Sequence, residues 1–491
     1  MALKAGESFI RFVSMGAVGA HRAADILRSY GHDPRELERY ATCNKIWQTK
    51  IKRLRMPDLF CVRCGRRFEV RAKTKLEIKV SDSPTVEGRA WDSGLRDSDT
   101  IIFIRCQDND GIPEPAATAE AFEVQSLRAA IASSRLGPPK SAGEGAERDR
   151  VWPSIVPSRS GSVVSVDTER IGVELEGGRR QSYRLHRANC TLIPYVRSGD
   201  EFTGGERIIA GTPGRKASLQ CSGDQWDPEA DLASPEAMSR FAAIKAAGLR
   251  GDIGMAAALR QITNEDSDAR IRLEAIGALV RLGDAGAIQD LFAAFESPVS
   301  SDLQMEAVLI AGEILGSSTE EVLQRMLVAQ PCLEREELRA AVIWSLGVYG
   351  HGDHDTVSGY LGDASDLVAA HAVIGLGSDL PDGTRERLIA LLPAGGRVAA
   401  GASWVLSHDS PRVVERLIAI ADGDGAGRAW AVAILGQRPR EELLPYLEAR
   451  PELRQQLDPL WKMSETLNWT RTPDGMEHID SIRKQTVRQS V

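Results

Sequence analysis

The sequence is poor in aromatic residues and has no long apolar run, and each shortage excludes a class of protein. Aromatic residues make up only 5% of the 491 residues, whereas Ala and Leu are frequent in the second half and favour helices there. No apolar run approaches the ~18 residues that a membrane-spanning helix needs. The start of the chain also lacks the apolar stretch of a secretory signal peptide, so we predict a cytoplasmic protein without membrane contacts.

Cysteine is scarce as well, and its spacing argues against a disulfide scaffold. The seven cysteines are an odd number without framework spacing, which favours a reducing compartment. Cys61-x-x-Cys64 followed by Gly65 has the spacing of a zinc knuckle, and Cys43 and Cys106 lie in the same predicted domain. We therefore predict a structural Zn²⁺ or Fe site formed by these four cysteines. The alternative is a pair of hairpin cysteines without metal.

The net charge of −8 excludes a protein that coats nucleic acid over its whole surface, but the charge is unevenly distributed. Residues 45–79 hold twelve lysines and arginines against three acidic residues. Such a basic block predicts a surface that faces a polyanion, and the alternative is an ordinary solvated strand face. The candidate nucleic-acid-binding residues are Lys45, Lys50, Lys52, Arg53, Arg55, Arg66, Arg67 and Lys75.

The N-terminal part of the sequence, residues 1–110, predicts an α/β domain. Helical spacing covers residues 8–30, and Asp33-Pro34 is a typical opening for a second helix to residue 40. Residues 68–80 then alternate between apolar and charged side chains. This period predicts one long strand or a hairpin folded near Thr74. A buried strand is predicted at residues 101–104.

The middle of the sequence predicts a helix with a linker and then a small β module. Residues 111–150 contain a helical stretch at about 119–135 and a Pro- and Gly-rich linker at 138–145. Short strands are predicted at 163–166, 171–175 and 183–185, within a β region of residues 151–225. The turn pattern of residues 196–210 resembles that of barrel-sandwich hybrid modules. No lysine sits at its tip, which argues against a lipoyl or biotin carrier.

The second half of the sequence repeats. A Leu-Gly pair recurs at Leu282, Leu315, Leu346, Leu376 and Leu435, with a degenerate Leu406-Ser407 between the last two. One helix pair cannot bury its own apolar face, so such units must stack. The pattern resembles short HEAT-like repeats, about seven of them over residues 232–455, followed by a cap and polar tail at 456–491. This resemblance implies an α-solenoid that binds a protein partner.

Two acidic residues near the knuckle suggest a catalytic site. Met56-Pro57-Asp58-Leu59 and Phe68-Glu69-Val70-Arg71 resemble the PD-(D/E)XK nuclease superfamily, in which an Asp and an acidic-x-Lys on neighbouring strands bind Mg²⁺. The resemblance implies a restriction-endonuclease-like domain in which Asp58 and Glu69 hold Mg²⁺. Some restriction enzymes of this superfamily also carry a four-cysteine metal site.

The motif departs from the family pattern at one position. Arg71 stands where Lys is usual and cannot act as a base, so Lys73 on the same strand face is the substitute. Glu38 is the predicted additional acid, with Glu36 as its alternate. A competing register uses Glu77-Ile78-Lys79.

Taken together, these patterns predict a multidomain protein with an α/β domain, a small β-barrel or sandwich and a HEAT-like solenoid. The predicted function is a Mg²⁺-dependent DNA endonuclease of the restriction or phage-defence kind. The alternatives are a non-catalytic DNA-binding adaptor, a protein-interaction scaffold and, more weakly, a HEAT-like DNA glycosylase. The sequence does not determine the oligomeric state.

Overall fold

The structure is a computed structural model and describes residues 7–37, 49, 56–86, 88–109, 112–140, 147–223, 226–297, 300–348 and 352–467. The chain divides into two compact units. The N-terminal unit comprises Arg11–Cys43 and Lys52–Arg250. The helical unit comprises Met1–Ile10, Asn44–Ile51 and Gly251–Val491.

The N-terminal unit is rich in short strands. Its helices are α1 (Glu7–Ser29), α2 (Val124–Ala129), α3 (Pro228–Leu232) and α4 (Ala237–Arg250). Its strands are β1 (Pro34–Glu36), β2 (Leu59–Cys61), β3 (Arg67–Lys73), β4 (Ile78–Asp82), β5 (Thr100–Asn109), β6 (Ile112–Pro115), β7 (Glu120–Glu123), β8 (Arg135–Pro139), β9 (Arg148–Trp152), β10 (Ser154–Ile155), β11 (Gly161–Val166), β12 (Arg170–Leu175), β13 (Arg179–Arg184), β14 (His186–Arg187), β15 (Cys190–Thr191), β16 (Ile193–Pro194), β17 (Glu201–Phe202) and β18 (Ala210–Gly211).

The largest sheet has the strand order β1-β2-β3-β5-β6, and β7 also pairs with β5. β2 is antiparallel to both β1 and β3, whereas β3 and β5 run parallel. Side chains alternate between two cores along β5, as the pleat of a strand requires. Ile102 and Ile104 pack in the core that includes Leu27 of α1, whereas Ile101 and Phe103 pack in a second core. A sheet that is covered on both faces buries its apolar residues on both.

The remaining strands form smaller sheets. Their orders are β4-β9-β8, β13-β12-β11-β17, β10-β18-β16 and β14-β15. The strands predicted at 163–166, 171–175 and 183–185 correspond to β11, β12 and, at its last two residues, β13, and the one predicted at 101–104 lies within β5. The N-terminal unit is thus sheet-rich.

The helix predicted to begin at Asp33-Pro34 is not formed in the described residues. Pro34–Glu36 is the strand β1, and Pro34 lies opposite Cys61 in β2. The sequence signal was local, because Asp and Pro suit a helix start. Pairing with β2 satisfies the backbone instead, and such tertiary pairing outweighs local propensity.

The expectation of one strand or one hairpin over residues 68–80 is also wrong. β3 pairs with β2 at its first two residues and with β5 along Phe68–Lys73, whereas β4 pairs with β9 in another sheet. The predicted helix at 119–135 is shorter than expected, because Glu120–Glu123 is β7 and only Val124–Ala129 is α-helical. Part of the predicted linker, Arg135–Pro139, is β8, which pairs with β9. Period-two patterns identify strands but not their partners.

The helical unit consists of packed helices in its described part. They are α5 (Ala256–Glu265), α6 (Ala269–Arg281), α7 (Ala285–Glu296), α8 (Ser301–Glu313), α9 (Ser317–Val328), α10 (Gln330–Glu334), α11 (Glu336–Val348), α12 (His354–Gly359), α13 (Asp366–Leu376), α14 (Asp382–Leu391), α15 (Gly396–Ser407), α16 (Val414–Ala421), α17 (Arg428–Gln437), α18 (Arg440–Leu447) and α19 (Pro451–Leu467). Over the described part of the chain, no helix combines the length and the apolar character needed to cross a membrane.

The helices of this unit form two layers. α6, α8, α11, α13, α15 and α17 pack in succession against one another, and α7, α9, α12, α14 and α16 alternate with them. All six recurring Leu-Gly or Leu-Ser pairs lie in helices of the first layer or within three residues after their ends. The spacing in the sequence therefore marks the same element of each repeat, and the predicted repeat architecture is confirmed.

The glycine of the pair has two different roles. Gly283 and Gly377 follow α6 and α13 with φ values of 82° and 63°, which suits the expected end of a helix. Gly347 instead lies inside α11, and a Cβ there would overlap the backbone of Gly375 in α13. At this position the missing side chain lets two helices approach closely.

We expect Gly347→Ala to destabilise the protein by about 1–3 kcal/mol, because neither backbone can yield without moving a helix. Gly383→Ala is the matched control, since Gly383 lies in α14 and a Cβ there meets nothing within 4 Å. Gly383→Ala should stabilise the protein by up to about 1 kcal/mol, because Ala has a higher helix propensity than Gly. Urea denaturation measures both, and a Gly347→Ala protein as stable as the wild type would contradict the close contact.

Candidate functional site

The turn between β2 and β3 brings the two predicted catalytic acids to the same part of the unit. The antiparallel pairing joins Leu59 to Phe68 and ends there; Asp58 directly precedes β2, and Glu69 follows Phe68 in β3. The Val70 amide donates a hydrogen bond of 2.8 Å to Oδ2 of Asp58, which fixes this carboxylate against β3. The pair therefore has a defined position.

Arg71 compensates the charge of these acids. Its Nη1 lies 2.5 Å from Oε1 of Glu69. Burial alone disfavours the charged guanidinium, but the carboxylates of Glu69 and Asp58 outweigh it and raise the pKa of Arg71. Arg71 thus acts as a fixed cation beside the two acids and is not a proton donor or acceptor.

Lys73, unlike Arg71, can lose and accept a proton near neutral pH. Burial, together with the positive charges of Arg71, Lys79 and Lys140, lowers the pKa of Lys73 to about 8. A lysine with this pKa is deprotonated in a useful fraction of molecules near neutral pH. Of the cations on β3, it is the one suited to accept a proton.

Glu77 does not share the sheet of Asp58. It directly precedes β4, which pairs with β9, and its carboxylate lies 3.1 Å from Lys75 and 3.2 Å from Lys79. The alternative motif Glu77-Ile78-Lys79 needs Glu77 on the strand that pairs with the segment following Asp58. That strand is β3, which carries Glu69.

The predicted nucleic-acid surface is only partly covered by the structure. Lys45, Lys50, Lys52, Arg53 and Arg55, and also the predicted acid Glu38, lie outside the described residues. Glu36, the alternate to Glu38 as the additional acid, is described and lies in β1.

The basic residues of this set that the structure describes have different environments. Lys75 is exposed and paired with Glu77. Arg66 donates to the Thr100 hydroxyl at 3.1 Å and lies over the Phe68 ring.

Arg67 belongs to the core and not to the predicted surface. It is fully buried, and its guanidinium donates to both carboxylate oxygens of Asp99 at 2.9 and 2.5 Å. The Arg96 amide also donates to Asp99 at 2.8 Å. A guanidinium in this position cannot contact a phosphate. The pair instead ties the start of β3 to the residue before β5.

The predicted cysteine ligands separate into two groups. Cys106 is buried among core residues that include Leu27, burial raises its thiol pKa to about 11, and Cys43 lies outside the described residues. Cys61 and Cys64 instead lie with His32 and Cys221, and the ligand atoms of these four are all within 4.8 Å of one another. Sequence reasoning missed His32 and Cys221, because no motif spacing connects them with the knuckle.

The two knuckle cysteines have unequal thiols. The hydrogen bond between them, and then burial, raises the pKa of Cys61 to about 11. The same hydrogen bond lowers the pKa of Cys64 to about 7. Cys61 therefore keeps its proton near neutral pH, whereas Cys64 accepts its hydrogen bond and is ionised in about half of the molecules at pH 7.

Comparison with known proteins identifies part of the helical architecture. Residues 230–312 match the family model described as HEAT repeats. No curated protein is similar enough to the chain to count as a match. Among solved structures, the chain is similar to the complex of CpcE and CpcF of phycocyanin lyase from Nostoc sp. PCC7120, with 19% identity, a TM-score of 0.26 and coverage of 49% of this chain and 96% of that one. The family match and the layered helices together make the C-terminal region HEAT-like.

We expect removal of one partner from the Arg67–Asp99 pair to destabilise the N-terminal unit by about 3–5 kcal/mol, because a buried charge loses its counter-ion. Arg67→Met and Asp99→Asn each test this by chemical denaturation, and the double variant should recover part of the loss. Arg66→Met is the control on the neighbouring residue and should cost much less. A small effect of both single substitutions would show that the pair does not support the fold.

We expect Lys73→Gln to raise the melting temperature at pH 7 and to lose this advantage as the pH rises towards 10. The pKa of Lys73 in the folded protein, about 8, lies below the ordinary value of 10.5. Below pH 8 the lysine is charged in both states, so its burial cost is fully present. Between these values the folded protein binds fewer protons, and folding becomes more favourable as the pH rises.

The matched control for this titration is Lys75→Gln, because Lys75 is exposed on the same segment. Thermal unfolding from pH 6.5 to 10 compares both variants with the wild type. A melting-temperature difference for Lys73→Gln that stays constant over this range would contradict the lowered pKa.

Proposed function

We propose that the N-terminal unit is a Mg²⁺-dependent endonuclease acting on DNA, and that the HEAT-like helices bind a protein partner. The observation that supports the nuclease is the hydrogen bond from the Val70 amide to the Asp58 carboxylate, which holds Asp58 against the strand that carries Glu69, Arg71 and Lys73. The PD-(D/E)XK resemblance implies two acids and a cation at such a site. The role of a restriction or defence enzyme follows from that resemblance alone.

The acids suit Mg²⁺ in their chemistry. Mg²⁺ is a hard cation that binds carboxylate oxygens and keeps several waters, so Asp58 and Glu69 would hold it together with substrate phosphate. Bound there, the ion would supply Lewis acidity and lower the pKa of an attacking water. Arg71 already lies against Glu69 and competes for one of its oxygens. The proposal therefore includes a shift of Arg71 from Glu69 towards the phosphate.

The other residues of the site have distinct roles in this proposal. Asp58 is held rigidly by the Val70 amide, so its carboxylate needs no reorganisation. Arg71 binds a phosphate oxygen, for which a guanidinium is well suited. Lys73 accepts the proton of the attacking water at Nζ, because a pKa of about 8 leaves about a tenth of the molecules deprotonated at pH 7.

A non-catalytic DNA-binding adaptor is the second candidate. The ion pair between Glu69 and Arg71 favours it, because carboxylates that are already neutralised need no metal. In that case the acids orient the guanidinium, and only the basic residues contact phosphate. Both candidate functions predict that the protein binds DNA, but only the nuclease predicts that it cleaves DNA.

The proposal of a protein partner is supported by the HEAT-repeat match and by exposed apolar residues in the helical unit. Val328 and Leu333 are 71% and 62% exposed, and they lie on either side of the start of α10. Stacked helical repeats commonly present binding surfaces of this kind.

We expect the full-length protein to nick plasmid DNA with Mg²⁺ and not with EDTA, and Asp58→Asn and Glu69→Gln each to lower the rate at least about 10³-fold. Glu77→Gln is the matched control and should cut normally, because Glu77 lies outside the sheet of Asp58. Preparing all variants in parallel removes the contribution of contaminating nucleases. Unchanged cleavage in Asp58→Asn would contradict the site.

Binding measurements separate the two candidates. An adaptor would bind DNA in a salt-sensitive manner without cutting it, and Asp58→Asn would leave binding intact because phosphate contacts dominate the affinity. A nuclease would show the same binding together with Mg²⁺-dependent cleavage. Single-stranded RNA tested in the same assays shows whether DNA is the preferred substrate.

A further inference from the structure

Three segments that are distant in the sequence meet beside the knuckle turn. His32 follows α1, Cys61 and Cys64 flank the turn after β2, and Cys221 lies in the segment after β18. The four ligand atoms are within 4.8 Å of one another, and Sγ of Cys64 lies 3.5 Å from Nδ1 of His32. A tetrahedral zinc with bonds of about 2.0–2.3 Å places its ligand atoms about 3.5–3.8 Å apart. The cluster therefore needs only a small contraction to surround an ion.

We propose that His32, Cys61, Cys64 and Cys221 bind one structural Zn²⁺. Three sulfurs and one imidazole are a recurrent ligand set of structural zinc, and soft thiolates exclude Mg²⁺ and Ca²⁺. This set keeps the two knuckle cysteines of the sequence prediction and replaces Cys106, which lies in the core. The inference is independent of the nuclease proposal.

The imidazole of His32 is oriented as a metal ligand requires. Its Nε2 lies 2.9 Å from the carbonyl oxygen of Leu219. A carbonyl can only accept a hydrogen bond, so Nε2 carries the proton and Nδ1 turns its lone pair towards the sulfurs. The ring also packs edge-on against Phe68, with centroids 5.1 Å apart. Outer hydrogen bonds of this kind fix the tautomer of metal-binding histidines.

Backbone amides support the sulfurs in the same way. The amide of Asp33 donates to Sγ of Cys61 and the amide of Gly223 donates to Sγ of Cys221, each at 3.4 Å. Within the turn, the Gly65 amide donates to the Cys61 carbonyl at 2.9 Å, and Gly65 has a φ of 70°. Such amide contacts stabilise thiolate charge around a metal. Such amide contacts are made both to Cys61 of the knuckle and to Cys221, which is distant from it in the sequence.

Cations lie near enough to offset the remaining charge. Three thiolates and a neutral imidazole around Zn²⁺ leave one negative charge. Arg250 donates to the carbonyl oxygens of Val62 and Arg63 within the turn, at 2.9 and 3.0 Å, and Arg66 donates to Gln220 beside Cys221 at 3.3 Å. Two guanidinium groups are thus held on the turn and on the segment that carry Cys61, Cys64 and Cys221.

The metal would fasten the turn on which the acid pair depends. Cys61 ends β2 and the turn leads to β3, so ligation of Cys61 and Cys64 holds the pairing of the strand that follows Asp58 with the strand that carries Glu69. Cys221 and His32 attach two further segments to the same point. Structural zinc contributes folding free energy directly in this way.

Elemental analysis of full-length protein that has never met a chelator tests the proposal. We expect one Zn per chain in the wild type and a loss of at least 10-fold in the metal retained by Cys221→Ser and by His32→Gln. Cys190→Ser is the control, because Cys190 is a partly exposed cysteine of the same unit outside the cluster. Cys106→Ala should also keep its zinc, whereas it would lose it if the four-cysteine set were correct.

A second measurement protects the test against variants that fail to fold. Mercurial titration of the folded wild type should release one Zn as the thiols react, and Co²⁺ in place of Zn²⁺ should give a thiolate charge-transfer band. Less than half an equivalent of zinc in the wild type overturns the proposal. Iron in place of zinc overturns the identity of the ion, and full zinc in Cys221→Ser overturns the ligand set.

Discussion

The antiparallel pairing of β2 with β3 is the constraint on which both candidate centres of the N-terminal unit depend. The turn closes through hydrogen bonds from the Cys61 amide to Arg66 and from the Gly65 amide to Cys61. Because a strand alternates its side chains, this one register turns Cys61 and Phe68 towards the core that includes Leu27, and turns Glu69 away from it, while Asp58 directly precedes β2. A slip by one residue would disrupt the acid pair and the thiol cluster together.

Buried charge is arranged differently in the two parts of this sheet. Arg67 and Asp99 are enclosed and joined by two hydrogen bonds, so they connect the starts of two strands. Glu69 and Arg71 are farther along β3 and partly accessible. Charges that are paired but reachable can exchange partners, whereas enclosed ones cannot, because separating them leaves an unsolvated ion. The same strand thus combines a structural ion pair with one that is suited to contact ligands.

The helical unit depends on small residues instead of charge. Gly347 and Gly375 let α11 and α13 approach closely, and the apolar face of each helix is covered by its neighbours in two layers. Each repeat is stabilised mainly by the next one, so the stack tolerates substitution of the residues that face solvent. This architecture suits a binding scaffold, and the chemistry proposed for the chain lies in the N-terminal unit.

The sequence by itself determined the features that have a local period or a fixed spacing. The Leu-Gly repeat identified one layer of the HEAT-like helices, alternation identified strands such as β3 and β12, and the knuckle spacing identified Cys61 and Cys64. Only the tertiary structure decided which strands pair, that Pro34 lies in a strand, that Arg67 is buried, and that His32 and Cys221 join the knuckle. These features depend on contacts between distant segments, and residues brought together by strand order and packing leave no periodic signal in the chain.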